Sequence, residues 1–68
     1  MTLRKYLSEQ VERLASSTII CEKIYEVCHS KFSKETIVAE LLAINEEFDN
    51  TKAIEISNVL RESYECWR

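Results

Sequence analysis

Three cysteines and one histidine are the side chains that could bind a transition metal, and they are Cys21, Cys28, His29 and Cys66. Structural zinc sites usually take their thiolates from close pairs such as C-x2-C. Here Cys21 and Cys28 are seven residues apart, and the adjacent Cys28 and His29 would point about 100° apart on a helix. We therefore expect no metal and no other cofactor, with the thiols reduced and buried as small hydrophobic groups.

Groups for covalent or acid–base catalysis are equally scarce. A nucleophilic Ser or Cys needs an adjacent base and a third group that orients the base, whereas the sequence has a single His and no Gly. Its glutamates fall on the polar faces of the predicted helices, where solvation is their usual state. No P-loop or dinucleotide fingerprint is present. The sequence therefore predicts a protein that is not an enzyme and has no small-molecule substrate.

The elements that carry these residues are predicted to be helices. The chain has 68 residues and contains neither Gly nor Pro, on which the tight turns of β-sheets depend. Hydrophobic residues make up 46% of the chain and charged residues 31%, a globular rather than a disordered composition. We expect one helical domain over residues 1–68, of marginal stability alone because small chains bury little surface.

The first half of the chain carries a heptad pattern of apolar residues. It follows Thr2, a favourable N-cap, and its members recur at alternating spacings of four and three. Ser16, Ser17 and Thr18 compete for backbone hydrogen bonds and favour caps and bends. We therefore expect a break near Ser16 that leaves residues 3–15 as a shorter arm, the alternative being one continuous helix. The pattern consists of Leu7, Val11, Leu14, Thr18, Cys21, Tyr25 and Cys28.

Two more helices are predicted in the second half. Ser33 is the clearest N-cap, because Phe32 before it and Ile37 four residues after it have the spacing of a hydrophobic staple. The second predicted helix covers about residues 34–47 and the third about 51–66, with Asp49 or Asn50 as N-cap of the third. Short connections favour antiparallel neighbours. The fold class is therefore all-α, a three-helix or four-segment antiparallel helical hairpin bundle.

The heptad pattern also predicts association. Within a monomer it would be core, but a short two-helix hairpin leaves part of a long apolar arm uncovered, and such faces are usually buried against another chain. We therefore predict a homodimer, the alternative being a monomer with an exposed binding groove. The predicted dimer or partner interface is Leu7, Val11, Leu14, Thr18, Cys21 and Tyr25.

A second candidate surface lies near the C-terminus. Tyr64, Trp67 and Arg61 are of the residue types enriched at binding hot spots. The alternative is that Trp67 closes the end of the core, because large aromatic residues dominate core energetics as well.

Charge is divided unevenly along the chain. The net charge is −3, with +1 in residues 1–32 and −4 in residues 33–68. Affinity for DNA comes mainly from neutralised phosphates, so direct DNA binding is not expected. No apolar run reaches the roughly 20 residues that span a bilayer, and charged residues interrupt the N-terminus where a signal peptide would lie. We expect a complete, cytoplasmic protein that does not enter a membrane.

The segment from Phe32 to Leu42 resembles the start of the central helix in the YmgB/AriR–YcgZ family of small enterobacterial regulators. That helix similarly follows a polar turn and carries an Ile/Leu stripe, and a shorter helix follows it. The resemblance covers about residues 17–62, whereas the family's polar N-terminal tail is missing and the ending from Tyr64 to Arg68 differs. It implies a dimeric helical regulator linked to biofilm or acid-stress control that acts through other regulatory proteins.

These observations together predict a small bacterial regulatory or adaptor protein that acts by protein–protein binding in transcriptional or stress and biofilm signalling. Two alternatives remain open. One is a nucleoid-associated accessory factor, similar in size and helical content to the Hha/YmoA proteins. The other is an inhibitor from a phage or a toxin–antitoxin pair, whose acidic helices would mask a basic target protein.

Overall fold

The computed structural model describes residues 2–64 and Trp67, and this part of the chain forms four helices and no strand. Helix α1 spans Leu3–Val11, α2 spans Ser17–Cys28, α3 spans Lys34–Phe48 and α4 spans Thr51–Ser63. The prediction of an all-helical chain is confirmed. Cys66, both a candidate metal ligand and the predicted end of the last helix, lies outside the described residues.

Each helix begins at a polar residue whose side chain accepts a hydrogen bond from a backbone N–H of the first turn. The N···O distances of these four bonds lie between 3.1 and 3.3 Å. Such bonds satisfy donors that have no partner within the helix. The four caps are Thr2, Ser16, Ser33 and Asn50.

The predicted break near Ser16 is confirmed, because α1 ends at Val11 and Ser16 is the N-cap of α2. The connection between them is held against the start of α4. The Lys52 ammonium donates hydrogen bonds to the carbonyl oxygens of Arg13 at 2.8 Å and Ala15 at 2.9 Å. Carbonyl groups that lie beyond a helix end are thereby paired.

The turn between α3 and α4 is made without glycine. Asp49 has φ 51° and ψ 47°, in the left-handed region, which Asp and Asn tolerate better than most residues do. Asn50 then caps α4, which settles the choice that the sequence left between Asp49 and Asn50. Lys34, at the start of α3, donates to the carbonyl oxygens of Arg61 and Tyr64. Helices α3 and α4 therefore run in opposite directions.

The core lies where all four helices meet. Helix α3 packs against α4 and α1, and α2 packs against α4 and α1. Because the chain breaks after α1, this short helix folds back and packs against α2, α3 and α4. The core residues are Leu7, Val11, Ile20, Cys21, Ile24, Cys28, Ile37, Leu41, Ile44, Ala53, Ile56, Leu60 and Trp67.

Candidate functional site

The six residues predicted as a dimer or partner interface do not form one exposed surface on this chain. Leu7, Val11 and Cys21 are at most 1% exposed, and Tyr25 is half-buried. Leu14, in contrast, is fully exposed, because it follows the end of α1 and the helical period no longer directs it inward. Thr18 is exposed in the first turn of α2. Within one copy, three of the six predicted interface residues are therefore core, and a fourth, Tyr25, packs against it.

The aromatic residues near the C-terminus are divided between core and surface. Trp67 is 6% exposed, and its indole N–H donates to the carbonyl oxygen of Phe32 at 2.9 Å. The Tyr25 ring stacks on Tyr64 with centroids 4.8 Å apart and meets Trp67 edge-on at 5.4 Å. Arg61 is exposed on α4. Trp67 thus closes one end of the core, as in the second of the two sequence-based interpretations.

The described thiols are buried and poorly reactive. Cys21 is 0% exposed, its Sγ lies 3.5 Å from the carbonyl oxygen of Ile56, and burial raises its pKa to about 11. Burial also raises the pKa of Cys28. A thiol with a raised pKa is a weak nucleophile and metal ligand, because the thiolate is the reactive form. Among the described residues, no group of three or more His, Cys, Asp or Glu side chains is placed to hold a metal ion.

The only histidine belongs to the aromatic cluster. His29 stacks on Tyr25 with ring centroids 4.6 Å apart, and its Nδ1 lies 2.8 Å from the Tyr25 carbonyl oxygen. Because a carbonyl oxygen can only accept, Nδ1 carries the proton in this bond. The contact gives the Tyr25 carbonyl a second donor beside the His29 backbone N–H at 2.9 Å, and it fixes the ring. In this arrangement His29 has a structural role at the helix end.

An open apolar groove of about 310 Å³ lies between α1 and the C-terminal end of α2. We call it the α1–α2 groove. Val27 is 40% and Phe32 37% exposed, whereas Leu3 and Tyr6 are half-buried. The groove is lined by Thr2, Leu3, Tyr6, Val27, Cys28, Lys31 and Phe32.

Tyr6 joins the two sides of the α1–α2 groove. Its hydroxyl donates to the carbonyl oxygen of Lys23 at 3.4 Å, which ties α1 to α2. Desolvation raises the pKa of Tyr6, so the hydroxyl stays protonated and remains a donor at neutral pH. The groove is therefore shaped by packing within the chain before any ligand arrives, which lowers the ordering cost of binding.

A second apolar surface lies along α3 and α4, and we call it the α3–α4 face. It has a shallow groove of about 310 Å³, in which Leu42 is 38% exposed. The groove is lined by Lys34, Glu35, Val38, Ala39, Leu42 and Arg61.

Both surfaces use residues whose spacing in the sequence fits helix packing. Phe32 was predicted as half of a hydrophobic staple, and Val27 and Leu42 follow the apolar residues Ile24 and Val38 at helical spacings of three and four. Apolar residues that cover more than about 100° around a helix are the sequence signal that could have identified these partly exposed positions. Residues at the edge of such an arc remain partly in water when the centre is covered.

Comparisons of this chain with protein-family models, with curated proteins and with solved structures found no match in any of the three. The resemblance of residues 17–62 to the YmgB/AriR–YcgZ family therefore stays a prediction. In the described part of the chain, no helix is both long and apolar enough to cross a membrane.

Proposed function

We propose that this chain is a small non-enzymatic adaptor that regulates another protein by binding it, and that the α1–α2 groove is its docking site. The carrying observation is the apolar concavity between Leu3 and Tyr6 on one side and Val27 and Phe32 on the other. Binding sites are typically concave and mostly apolar, with a few polar groups that fix orientation. A groove between two helices fits the apolar side of a partner helix.

Charge around the α1–α2 groove favours an acidic partner segment. Lys31 is the one charged residue among the described lining residues. The N-terminus of α1 opens onto the same groove at Thr2 and Leu3, and a helix N-terminus attracts negative charge. The proposed ligand is therefore an amphipathic helix whose apolar side chains enter the groove and whose Glu or Asp pairs with Lys31.

Affinity capture with matched variants tests this proposal. Val27→Asp places a carboxylate in the groove, whereas Ile19→Asp makes the same change at a residue of α2 that is 56% exposed and outside the groove. Circular dichroism first establishes that both variants are folded. The wild type and Ile19→Asp should retain the same bacterial protein from lysate, and purified Val27→Asp should bind it at least about tenfold more weakly.

Two results would count against the α1–α2 groove. One is a partner that Val27→Asp retains as well as the wild type does, and the other is that no specific partner is retained at all. The regulatory role that the family resemblance implies further requires the retained partner to be a regulator of transcription or stress signalling. An accessory nucleoid role would instead require a DNA-binding partner, so the identity of the captured protein separates the two.

The end of α3 favours a second candidate, an inhibitor of a basic target protein. Phe48 is 62% exposed and is flanked by Glu46, Glu47 and Asp49. Arg4 pairs with Glu47 at 3.1 Å, so the negative charge here comes mainly from Glu46 and Asp49. The last turn of α3 contains no basic residue, and the negative end of the helix dipole adds to that charge. For this function, Phe48→Ser would abolish capture while Val27→Asp would not, and binding would weaken steeply with salt.

A further inference from the structure

The α3–α4 face has a ridge whose sequence is complementary to itself when it is reversed. Residues four apart line up along a helix, and on α3 one such row is Lys34, Val38, Leu42 and Glu46. When a second copy of this row runs antiparallel beside the first, an acidic residue lies opposite a basic residue at each end, and apolar residues lie opposite each other in the middle. Leu42 and Glu46 are exposed, and Val38 is 7% exposed.

The geometry points to a second copy of this chain as the occupant of the α3–α4 face, with the two α3 helices antiparallel about a two-fold axis. With the axis at the level of Glu40, Leu42 enters the partner subunit's shallow groove. The partner subunit's Ala39 is exposed there, and the partner subunit's Val38, 7% exposed, forms the floor. Glu46 then lies beside the partner subunit's Lys34. A two-fold axis repeats every contact, so each favourable pair occurs twice.

Neighbouring residues support the same register. Ala39 is small and exposed next to the centre of the ridge, which allows the two helix axes to approach closely. The Lys34 ammonium donates to the carbonyl oxygens of Arg61 and Tyr64, which holds the cation at this end of the ridge and leaves one of its three N–H groups for the partner subunit's Glu46. The exposed Arg61 lines the same groove and supplies a second cation to the partner subunit's Glu46.

This assignment keeps the homodimer predicted from the sequence but moves it from α1 and α2 to α3 and α4. The earlier candidates Leu7, Val11 and Cys21 are enclosed within one copy, so they are not available for contact between copies. The need for association remains, because a chain of 68 residues buries too little surface for ample stability alone. The α1–α2 groove stays open in such a dimer for a different partner.

Sedimentation equilibrium over micromolar to submillimolar concentration tests the dimer. The wild type should approach twice the chain mass of 8.0 kDa as concentration rises. Leu42→Asp buries a carboxylate at the centre and should give a folded monomer, with folding checked by circular dichroism. Glu46→Arg turns two attractive pairs into repulsive ones and should raise the dimer Kd at least about tenfold.

A charge-reversal cycle tests the register. Arg61→Glu alone should also weaken the dimer, and the double variant Glu46→Arg with Arg61→Glu should recover part of the lost affinity. Glu22→Arg is the matched control for Glu46→Arg, because it makes the same change in net charge at a residue of α2 outside the groove of the α3–α4 face. It should leave the dimer Kd within about twofold of the wild-type value.

The dimer assignment has clear refuting results. A wild-type mass of 8.0 kDa at every concentration would overturn it, and so would a dimer that survives both Leu42→Asp and Glu46→Arg. A double variant that is no tighter than the weaker single variant would overturn the proposed register. Val27→Asp should dimerise like the wild type, so failure of the groove proposal is measured separately.

Discussion

Trp67 is expected to contribute a large share of the stability of this small fold. It is 6% exposed, donates to the Phe32 carbonyl oxygen at 2.9 Å and contacts the Tyr25 and Tyr64 rings. Truncating a buried Trp to Ala costs about 3–5 kcal/mol. A chain of 68 residues has a total free energy of unfolding of only about 3–10 kcal/mol. Trp67→Ala should therefore leave a substantial fraction of the protein unfolded.

Trp67→Phe separates ring packing from the hydrogen bond. It keeps an aromatic ring beside Tyr25 but loses the indole N–H that donates to the Phe32 carbonyl oxygen. We therefore expect a loss of about 1–2 kcal/mol. Urea unfolding followed by circular dichroism suits both variants, because neither retains the tryptophan fluorescence. Phe48→Ala, at a side chain 62% exposed, is the matched control and should change stability by no more than about 0.5 kcal/mol.

The same measurements separate the two interpretations of Trp67. If both Trp67 variants had the same urea midpoint of unfolding as the wild type, the burial of Trp67 in the core would be refuted. A loss of partner affinity with unchanged stability would instead identify Trp67 as a binding hot spot. The predicted order of stability is wild type, then Trp67→Phe, then Trp67→Ala.

Two further predictions concern alkaline pH and the α3–α4 turn. The pKa of Cys21 is raised from 9.0 to about 11 in the folded chain, so the unfolded chain loses the thiol proton first. The buried thiol of Cys21 therefore contributes its full stabilisation below about pH 9, and the free energy of unfolding falls by about 2 kcal/mol as the pH rises towards 11. Urea unfolding at a series of pH values should show a smaller fall for Cys21→Ser than for the wild type. An equal fall in the two proteins would contradict this prediction. Asp49→Gly removes a side chain from the left-handed region and should raise the free energy of unfolding by about 0.5–1 kcal/mol; a lower melting temperature would be the contrary result.

The starts of the helices were predictable from the sequence, but two of the ends were not: α1 ends at Val11 rather than near residue 15, and α4 ends at Ser63 rather than near residue 66. Ser16 and Ser33 begin helices as predicted, and α3 runs from Lys34 to Phe48, against a prediction of residues 34–47. Caps and helical periodicity act between residues at most one or two turns apart. Such short-range physics can be read from one chain without knowing its tertiary partners.

Which apolar residues remain exposed was decided only by the tertiary structure. Leu14 and Val11 belong to one heptad pattern, yet Leu14 is fully exposed and Val11 is 1% exposed. The difference arises because α1 ends at Val11 and folds back onto α2 and α3. Spacing along the chain cannot say whether a stripe meets its own domain or a second copy.

The sequence by itself determined the composition, the absence of Gly and Pro, and the caps that divide the chain into short helices. The tertiary structure decided that Cys21 lies against Ile56 and that Trp67 reaches the carbonyl of Phe32, both across 35 residues of chain. It also left the α1–α2 groove and the α3–α4 face open. Burial depends on how separate helices pack together, and that packing is settled by the sum of many weak contacts across the whole chain.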